Sequence, residues 1–536
     1  MTYQRSFLSS FRRAGAWLLL GGLLMTLTPK GAAAAPITLT VESSKVVRHG
    51  ADHFVGVNLN YIRDADANRP GARPLDAALK DMGARWLRYP GGEKSDFYLW
   101  SQPPYDVPHP VSLGYYSALA GQRMDFDAYI AHCRAVGAEP YVVAGYTTEK
   151  QTGRTEAQWV ESAAAWVRYA NVKKKYGVKY WEIGNENWNN NKATPEEMAR
   201  IVIRFSRAMK SVEPSIKVGA SGNSAHWWAG FLPTAAPALD FLSLSLYNCW
   251  GWKNYDHFVQ HPDEDTIGDA ETALKAIDTD APPADRTRLR VVVAETNSKD
   301  YSDGGWPGTN TLGHTLVSFD TLGRLMAQPR ILSAMVWTTR WMNDAEAKSS
   351  QWYALGSDNE ILPTGQAIAL WGQFAQSEML AVSGGGGGVS GYASRSPDGR
   401  TLTVWVLNRG LAPVNDVRVA LHAPVSYGRA LVSQLSGTGP DDPTPHWGSL
   451  RPRVLSGNAV SGLSCPGVSV TVLVMRAGRG KGEERARKGR EKGEESEERV
   501  RKGRANTRFA PYIPSNCPVS LPRRGEPCVR PPGPAR

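Results

Sequence analysis

Eight short apolar segments alternate with amphipathic segments between residues 53 and 337, and this alternation limits what the chain can fold into. Apolar segments of this length are typical of buried strands, and the segments between them carry apolar residues at helical spacing. Several strand candidates are apolar on both faces, as expected of parallel strands covered by helices. The predicted strands are HFVGVNLNY from residue 53, ARWLRYP from 84, EPYVVAGY from 139, KYWEIGNE from 179, IKVGAS from 216, DFLSLSLY from 240, RVVVAET from 290 and ILSAMVW from 331.

Eight strand–helix units predict an α/β fold, a (β/α)8 TIM barrel. A doubly wound open sheet is the alternative, but no glycine-rich dinucleotide fingerprint follows the first strand. The helix signals are specific: Thr194, Pro195 and Glu197 form a capping box with proline at the first helical position. Gly137 is a C-cap signal, and the segment 155–177 predicts one long helix.

The character of the chain changes after about residue 376, where glycine-rich and alternating, valine-rich segments begin. Two such segments flank the turn Asp398-Gly399, which predicts a hairpin. This part therefore predicts a C-terminal all-β sandwich. The predicted organisation is a signal peptide at 1–34, N-terminal strands joining the sandwich at 35–50, the catalytic barrel at 51–376, the sandwich at 377–475 and a tail at 476–536.

The two ends of the chain predict export and disorder. Three arginines precede the apolar segment AWLLLGGLLMTL, and small residues follow it, which predicts a signal peptide cleaved near Ala34. The mature protein is then expected to be secreted or periplasmic and free of the membrane, with an uncleaved membrane anchor as the alternative. Residues 476–536 combine mixed charge with many prolines and predict a disordered tail.

The basic character of the chain lies in these ends. The tail contributes +9 and the first 34 residues +4 to a total of +11, which leaves −2 for residues 35–475. The folded part therefore gives no reason to expect a nucleic acid partner. No disulfide framework, metal site or cofactor is predicted, because the five cysteines are widely spaced and no ligand spacing relates the histidines considered, His53, His132, His226, His257 and His314.

Two glutamates end predicted strands four and seven, Glu186 and Glu295. In a parallel barrel the chemistry lies at the C-terminal ends of the strands, and strands three apart face each other across the mouth. Cleavage of a glycosidic bond needs such a pair of carboxylates, one to protonate the leaving oxygen and one to attack the sugar or activate water. Either glutamate alone would fit a salt bridge equally well, but the pair favours catalysis.

Other strand-end residues could hold the pair or bind sugar. Arg88 could supply positive charge near Glu295, Tyr247 a hydrogen bond, and Asn185 a donor to a sugar hydroxyl. Glu182 shares the parity of Glu186 and is expected to have a structural role inside the barrel. The predicted substrate-binding set is completed by Asn58, Glu93 and the flat faces of Trp188, Trp250 and Trp337, with Trp252 and Trp341 as further candidates.

The segments WEIGNENW and VVVAETNS together resemble the retaining glycoside hydrolases of clan A. LRYPGGEKSDFYLW and GVKYWEIGNE resemble the α-L-arabinofuranosidases, whereas AETNSKDYSDGG is closer to the heparanase-type β-glucuronidases. The resemblance implies that Glu186 is the general acid/base and Glu295 the nucleophile. It also implies that Asn185 binds the 2-hydroxyl and that Arg88 and Tyr247 hold the nucleophile.

Two departures from the patterns of these families leave the identity of the sugar undetermined. Relatives often have histidine where this chain has Ser245, and arabinofuranosidases tend to have asparagine where it has Glu93. The sequence thus predicts a retaining glycosidase acting on polysaccharides or oligosaccharides, arabinofuranosidase-like in the first instance. The alternatives are a heparanase-like or xylosidase-like glycosidase, a transglycosylase, and a carbohydrate-binding protein without catalysis.

Overall fold

The computed structural model describes residues 36–300, 306, 310–341, 352–422 and 426–477. The predicted signal peptide lies outside these residues, as does the predicted tail except for Arg476 and Ala477, which belong to the last strand. Among the described residues, no helix is both long enough and apolar enough to cross a membrane.

The strands, in chain order, are β1 (Thr38–His49), β2 (Val55–Asn58), β3 (Trp86–Tyr89), β4 (Tyr98–Leu99), β5 (Val111–Ser112), β6 (Glu139–Ala144), β7 (Tyr180–Ile183), β8 (Lys217–Ser221), β9 (Phe241–Tyr247), β10 (Arg290–Asn297), β11 (Ile331–Val336), β12 (Glu378–Gly384), β13 (Val389–Arg395), β14 (Thr401–Asn408), β15 (Val414–His422), β16 (Tyr427–Ser436), β17 (His446–Val454), β18 (Ala459–Cys465) and β19 (Ser469–Ala477). The helices are α1 (Leu75–Met82), α2 (Phe126–Val136), α3 (Glu149–Thr152), α4 (Glu156–Val167), α5 (Asn187–Asn190), α6 (Pro195–Val212), α7 (Ala225–Ala235), α8 (Asp256–Gln260), α9 (Gly268–Thr279), α10 (Leu312–Met326) and α11 (Pro363–Gly372).

All eight predicted barrel strands are present. They close in the order β2-β3-β6-β7-β8-β9-β10-β11, and every neighbouring pair is parallel, which confirms the TIM barrel. A separate apolar cluster that includes Trp86, Tyr141, Phe241 and Met335 fills the barrel interior. The barrel is therefore a packed core, and any reaction must take place at its rim.

The helix signals are confirmed except in one segment. The Thr194–Glu197 capping box and the left-handed C-cap at Gly137 are both present. The segment predicted as one long helix ends as α4 at Val167 and continues through a wider π-helical turn, residues 168–173. Asn171 explains the difference, because its side chain bonds to both the N–H and the C=O of Val178 at 2.8 and 2.9 Å and draws the chain out of the helix.

The C-terminal all-β domain is also confirmed. Its nine strands form one sheet in the order β17-β16-β19-β14-β13-β12-β1-β15-β18, and residues from strands far apart in that order share one apolar cluster. The N-terminal strand β1 is third from one edge of this sheet, antiparallel to β12 and parallel to β15. Strands β16, β17 and β18 were not predicted individually, and β17, which is exposed along most of its length, has little apolar alternation.

Candidate active site

The C-terminal ends of the barrel strands bring polar side chains together around one guanidinium, that of Arg88 on β3. Its Nη1 donates to Glu295 Oε1 at 2.7 Å and to Asn58 Oδ1 at 2.9 Å, and its Nη2 donates to Asn185 Oδ1 at 2.7 Å. Nε and Nη2 both donate to Glu182 Oε2, at 2.9 and 2.8 Å. A planar guanidinium is the side chain that can hold several acceptors in fixed directions.

Burial opposes the charge on Arg88, but the carboxylates of Glu182 and Glu295 raise its pKa above the ordinary value. Glu182 is itself buried, and its other oxygen, Oε1, accepts a third hydrogen bond from Ser243 Oγ at 2.6 Å. This placement agrees with the structural role expected of Glu182, since both its oxygens have partners within the protein. Arg88 therefore stays a cation that fixes the carboxylates around it.

Glu295, near the end of β10, is held from two sides. Arg88 binds one carboxylate oxygen, and the hydroxyl of Tyr247, at the end of β9, donates to the other at 2.8 Å. Only 4 % of the Glu295 residue is exposed. Both oxygens of this buried carboxylate are therefore held in fixed positions by donors from neighbouring strands.

The environment of Glu186 disfavours a negative charge on its carboxyl group. It follows β7 in the left-handed backbone region, with φ 44° and ψ 44°, which turns its side chain away from the strand direction. Burial and then the negative charge of Glu295 raise the pKa of Glu186 to about 7, although a hydrogen bond with Ser245 and the charge of Arg88 oppose the rise. A carboxyl group with such a pKa keeps its proton up to near neutral pH.

Asn185 is positioned by a buried carboxylate that the sequence analysis did not single out. Asp96 Oδ1 accepts the backbone N–H of Asn185 at 2.9 Å and that of Tyr146 at 3.2 Å. Because the amide oxygen of Asn185 accepts from Arg88, its NH2 group is left to donate elsewhere. An amide donor beside the two glutamates suits a sugar hydroxyl.

Asn58 differs from its predicted role. It is fully buried, its oxygen accepts from Arg88, and its NH2 group donates to the carbonyls of Ala294 and Val336 at 2.7 and 3.3 Å. With its hydrogen-bonding groups engaged inside the protein, Asn58 orients Arg88 and has no group to offer a substrate.

Glu93 was predicted to bind substrate, but its neighbour Lys94 is the residue that lies inward. Glu93 is exposed, whereas Lys94 is buried, with Nζ 4.9 Å from the ring of Trp337 and 4.7 Å from that of Trp341. Burial lowers the pKa of Lys94 to about 7, although the charges of Glu295 and Asp64 oppose this. Within the described part of the chain, this ammonium has no hydrogen-bond acceptor. No signal in the sequence distinguishes the inward residue of the pair.

The predicted aromatic faces are divided among three environments. Trp337, directly after β11, clusters with Trp341, and Tyr247, which binds Glu295, packs against the same cluster. Trp188 is half-buried, and Trp250 is 65 % exposed at the surface. Trp252 is buried against Trp306 and His257, so it cannot offer a free face to a sugar.

Comparison with known proteins finds sequence similarity over part of the chain. A family profile described as "Alpha-L-arabinofuranosidase 1 domain" matches residues 78–264, which include Arg88, Glu186 and Tyr247 and end before Glu295. An intracellular exo-α-L-arabinofuranosidase of Bacteroides ovatus is 28 % identical over 198 residues, 33 % of this chain and 37 % of the relative. An intracellular exo-α-(1->5)-L-arabinofuranosidase of Streptomyces lividans is 26 % identical over 190 residues, 32 % of this chain and 28 % of the relative. The matched segment thus spans about a third of these relatives.

Solved structures share the fold over most of the chain. The α-L-arabinofuranosidase of Thermotoga maritima, in a complex with arabinose, superposes with a TM-score of 0.65 at 19 % identity, covering 82 % of this chain and 100 % of that one. A bifunctional glucanase-xylanase, CelM2, superposes with a TM-score of 0.56 at 17 % identity, covering 83 % of this chain and 99 % of that one. This fold therefore accommodates several glycan specificities. In sequence, over residues 78–264, the chain resembles the α-L-arabinofuranosidases, and its fold is the one found in their solved structures.

Proposed function

We propose that the chain is a retaining glycoside hydrolase in which Glu295 is the nucleophile and Glu186 the general acid/base. The observation that carries the proposal is the contrast between the two carboxylates. Arg88 and Tyr247 hold Glu295, whereas burial gives Glu186 a pKa of about 7, at which it retains a proton to donate.

The proposed reaction has two displacements. In the first, a Glu295 oxygen attacks the anomeric carbon while Glu186 protonates the departing glycosidic oxygen, which leaves a glycosyl ester on Glu295. In the second, Glu186, now a carboxylate, takes a proton from water as the water oxygen attacks the same carbon and breaks the ester bond. Asn185 would donate its NH2 group to the 2-hydroxyl, where bonds strengthen in the transition state.

The sugar is proposed as an α-L-arabinofuranoside, on the strength of the similarity over residues 78–264. Ser245 bonds to Glu186 where relatives often have histidine, and Lys94 lies inward beside the site, so other glycosides must be tested. A panel of aryl arabinofuranosides, xylosides and glucuronides would identify the sugar. Product masses would separate a hydrolase from a transglycosylase.

The assignment of the two glutamates is tested with Glu186→Gln and Glu295→Gln on an aryl glycoside. We expect kcat/KM to fall by about 1,000-fold or more in Glu295→Gln, because no nucleophile remains. Glu161→Gln is the matched control, since Glu161 is exposed on α4. Wild-type turnover in both site variants would refute the proposal, whereas a parent that turns over no glycoside of the panel would favour the carbohydrate-binding alternative.

We also propose that the mature protein is secreted or periplasmic after cleavage near Ala34. The apolar segment behind three arginines supports this, although the two curated relatives named above are described as intracellular. N-terminal sequencing of the protein recovered outside the cytoplasm tests it. We expect a start near Ala35, and an intact N-terminus in the cytoplasmic fraction alone would contradict export.

A further inference from the structure

Three side chains that commonly bind metal ions lie together outside the candidate active site. His257, His261 and Glu264 belong to the loop that follows β9, and each offers a ligand atom within 4.8 Å of the others. The two histidines are four residues apart, a pair that the sequence analysis did not consider. His257 lies on helix α8, and His261 directly follows the last residue of that helix.

The two histidine rings are held in defined orientations. The ring of His257 stacks on Trp252 at 4.6 Å and on His261 at 4.2 Å. His261 Nδ1 lies 2.9 Å from the carbonyl oxygen of His257. A carbonyl accepts only from N–H, so Nδ1 of His261 carries the proton and Nε2 keeps its lone pair. Metal-binding histidines typically donate their second ring nitrogen in this way.

Glu264 already contacts one of these rings. Its Oε2 lies 2.6 Å from His257 Nε2, a distance that a shared proton explains in the absence of an ion. Ligands bound to tetrahedral zinc at about 2.0–2.1 Å are roughly 3.3 Å apart, so small side-chain rotations would admit an ion between them.

Two arginine side chains hold the backbone of the loop that carries these residues. Arg324 on α10 donates to the carbonyls of Glu264 and Pro262 at 3.0 and 3.2 Å, and Arg409 donates to that of Pro262 at 3.3 Å. Both guanidiniums are paired with the buried Asp320. The backbone between the ligands is therefore fixed before any ion binds, which lowers the entropy lost on binding.

We propose that His257, His261 and Glu264 bind a divalent transition-metal ion of borderline softness such as Zn²⁺, with water completing the coordination. Two imidazoles and one carboxylate match the ligands of zinc, whereas Ca²⁺ and Mg²⁺ prefer sites made of oxygen atoms alone. The loop begins after Tyr247, the holder of the proposed nucleophile, and within the described residues none of the three ligands hydrogen-bonds to Glu186 or Glu295. The ion would brace this loop without entering the proposed reaction.

The test uses the full chain, stripped with a chelator and dialysed, then titrated with Zn²⁺ by calorimetry and with Co²⁺ by visible absorption. We expect one ion per chain, tetrahedral Co²⁺ bands, and a rise in Tm of about 5 °C at 100 times Kd. Cys517 and Cys528 could bind zinc independently, so the measurements are made with both changed to serine.

The variants are His261→Ala and Glu264→Gln, whose side chains are exposed or nearly so and whose loss should leave the fold intact. Each should weaken Zn²⁺ binding by about 100-fold and abolish the Tm rise, whereas the exposed-histidine control His226→Ala should bind as the parent does. Because aryl glycosidase activity is not the readout, failure of the proposed function would leave this test unaffected. Wild-type affinity in both variants, or no stoichiometric binding by the parent, would overturn the proposal.

Discussion

Glu186 combines a buried carboxyl with a neighbouring carboxylate, so its protonation should govern the rate. Its pKa of about 7 exceeds the ordinary value because burial and Glu295 both penalise the charged form. As a general acid it must be protonated, so kcat/KM should decline by about tenfold per pH unit above pH 7. The pH–rate profile of an aryl glycoside with a poor leaving group measures this.

A variant of Glu186 can show whether this residue causes the alkaline decline in kcat/KM. With a dinitrophenyl glycoside, whose leaving group needs no proton, the parent should show no alkaline decline and Glu186→Gln should retain kcat/KM. An alkaline decline that persists in Glu186→Gln would assign that titration to another group.

Lys94 should make stability depend on pH in the alkaline range. Its folded-state pKa is lowered to about 7 by burial, against 10.5 when exposed, so between these values the unfolded chain binds a proton that the folded protein does not. The free energy of unfolding should therefore rise with pH across this range. In Lys94→Met, which keeps the shape and removes the charge, the protein should be more stable at pH 7 by on the order of 3 kcal/mol.

Urea unfolding of the parent and Lys94→Met at pH 7 and pH 10 measures this difference. The two proteins should approach each other in stability at the higher pH. Equal stability at pH 7 would show that Lys94 finds an acceptor outside the described residues, or that the site relaxes around its charge.

At the scale of elements, two glycines end helices in the same conformation but in different surroundings. Gly83 after α1 and Gly137 after α2 have φ of 62° and 68°. A Cβ at Gly137 would meet nothing within 4 Å, whereas one at Gly83 would run into the backbone of Gly372, at the end of α11. Substituting alanine at each position therefore separates the free-energy cost of backbone strain from the cost of a clash between two closely packed helices.

Gly137→Ala should cost about 1 kcal/mol of unfolding free energy from the left-handed conformation alone. Gly83→Ala should cost at least about 2 kcal/mol more, because backbone cannot move aside as a flexible side chain can. Urea unfolding of both variants measures the difference. Equal costs would mean that α1 and α11 separate without penalty.

The elements themselves follow closely from sequence pattern. Barrel strands and capped helices carry local signals, namely an apolar segment of fixed length or a capping box, and the structure contains all eight strands. The end of α4 was missed because Asn171 acts through a contact with Val178 that no periodicity records. The exposed strand β17 was missed because its side chains face solvent on both sides.

For the molecule as a whole, the barrel and the nine-stranded sheet share apolar packing. Trp405 on β14 is fully buried, its ring lies 4.6 Å from that of Trp371 on α11, and its indole N–H donates to the carbonyl of Leu370 at 2.9 Å. Trp405→Ala should therefore destabilise both parts together, by about 3–5 kcal/mol. Calorimetry should show one transition moved to lower temperature, and two separated transitions in the parent would contradict the shared core.

The sequence by itself determined the barrel, the all-β domain and the positions of Glu186 and Glu295 at strand ends, because strand periodicity and strand termination are properties of neighbouring residues. Only the tertiary structure decided that Lys94 lies inward while Glu93 faces solvent. It also decided that the side chain of Asn58 hydrogen-bonds to Arg88 and to two backbone carbonyls, and that Trp252 is buried. It also brought His257, His261 and Glu264 together. These outcomes depend on which distant groups a side chain meets, and that free energy comes from packing and pairing across the fold, which local pattern does not contain.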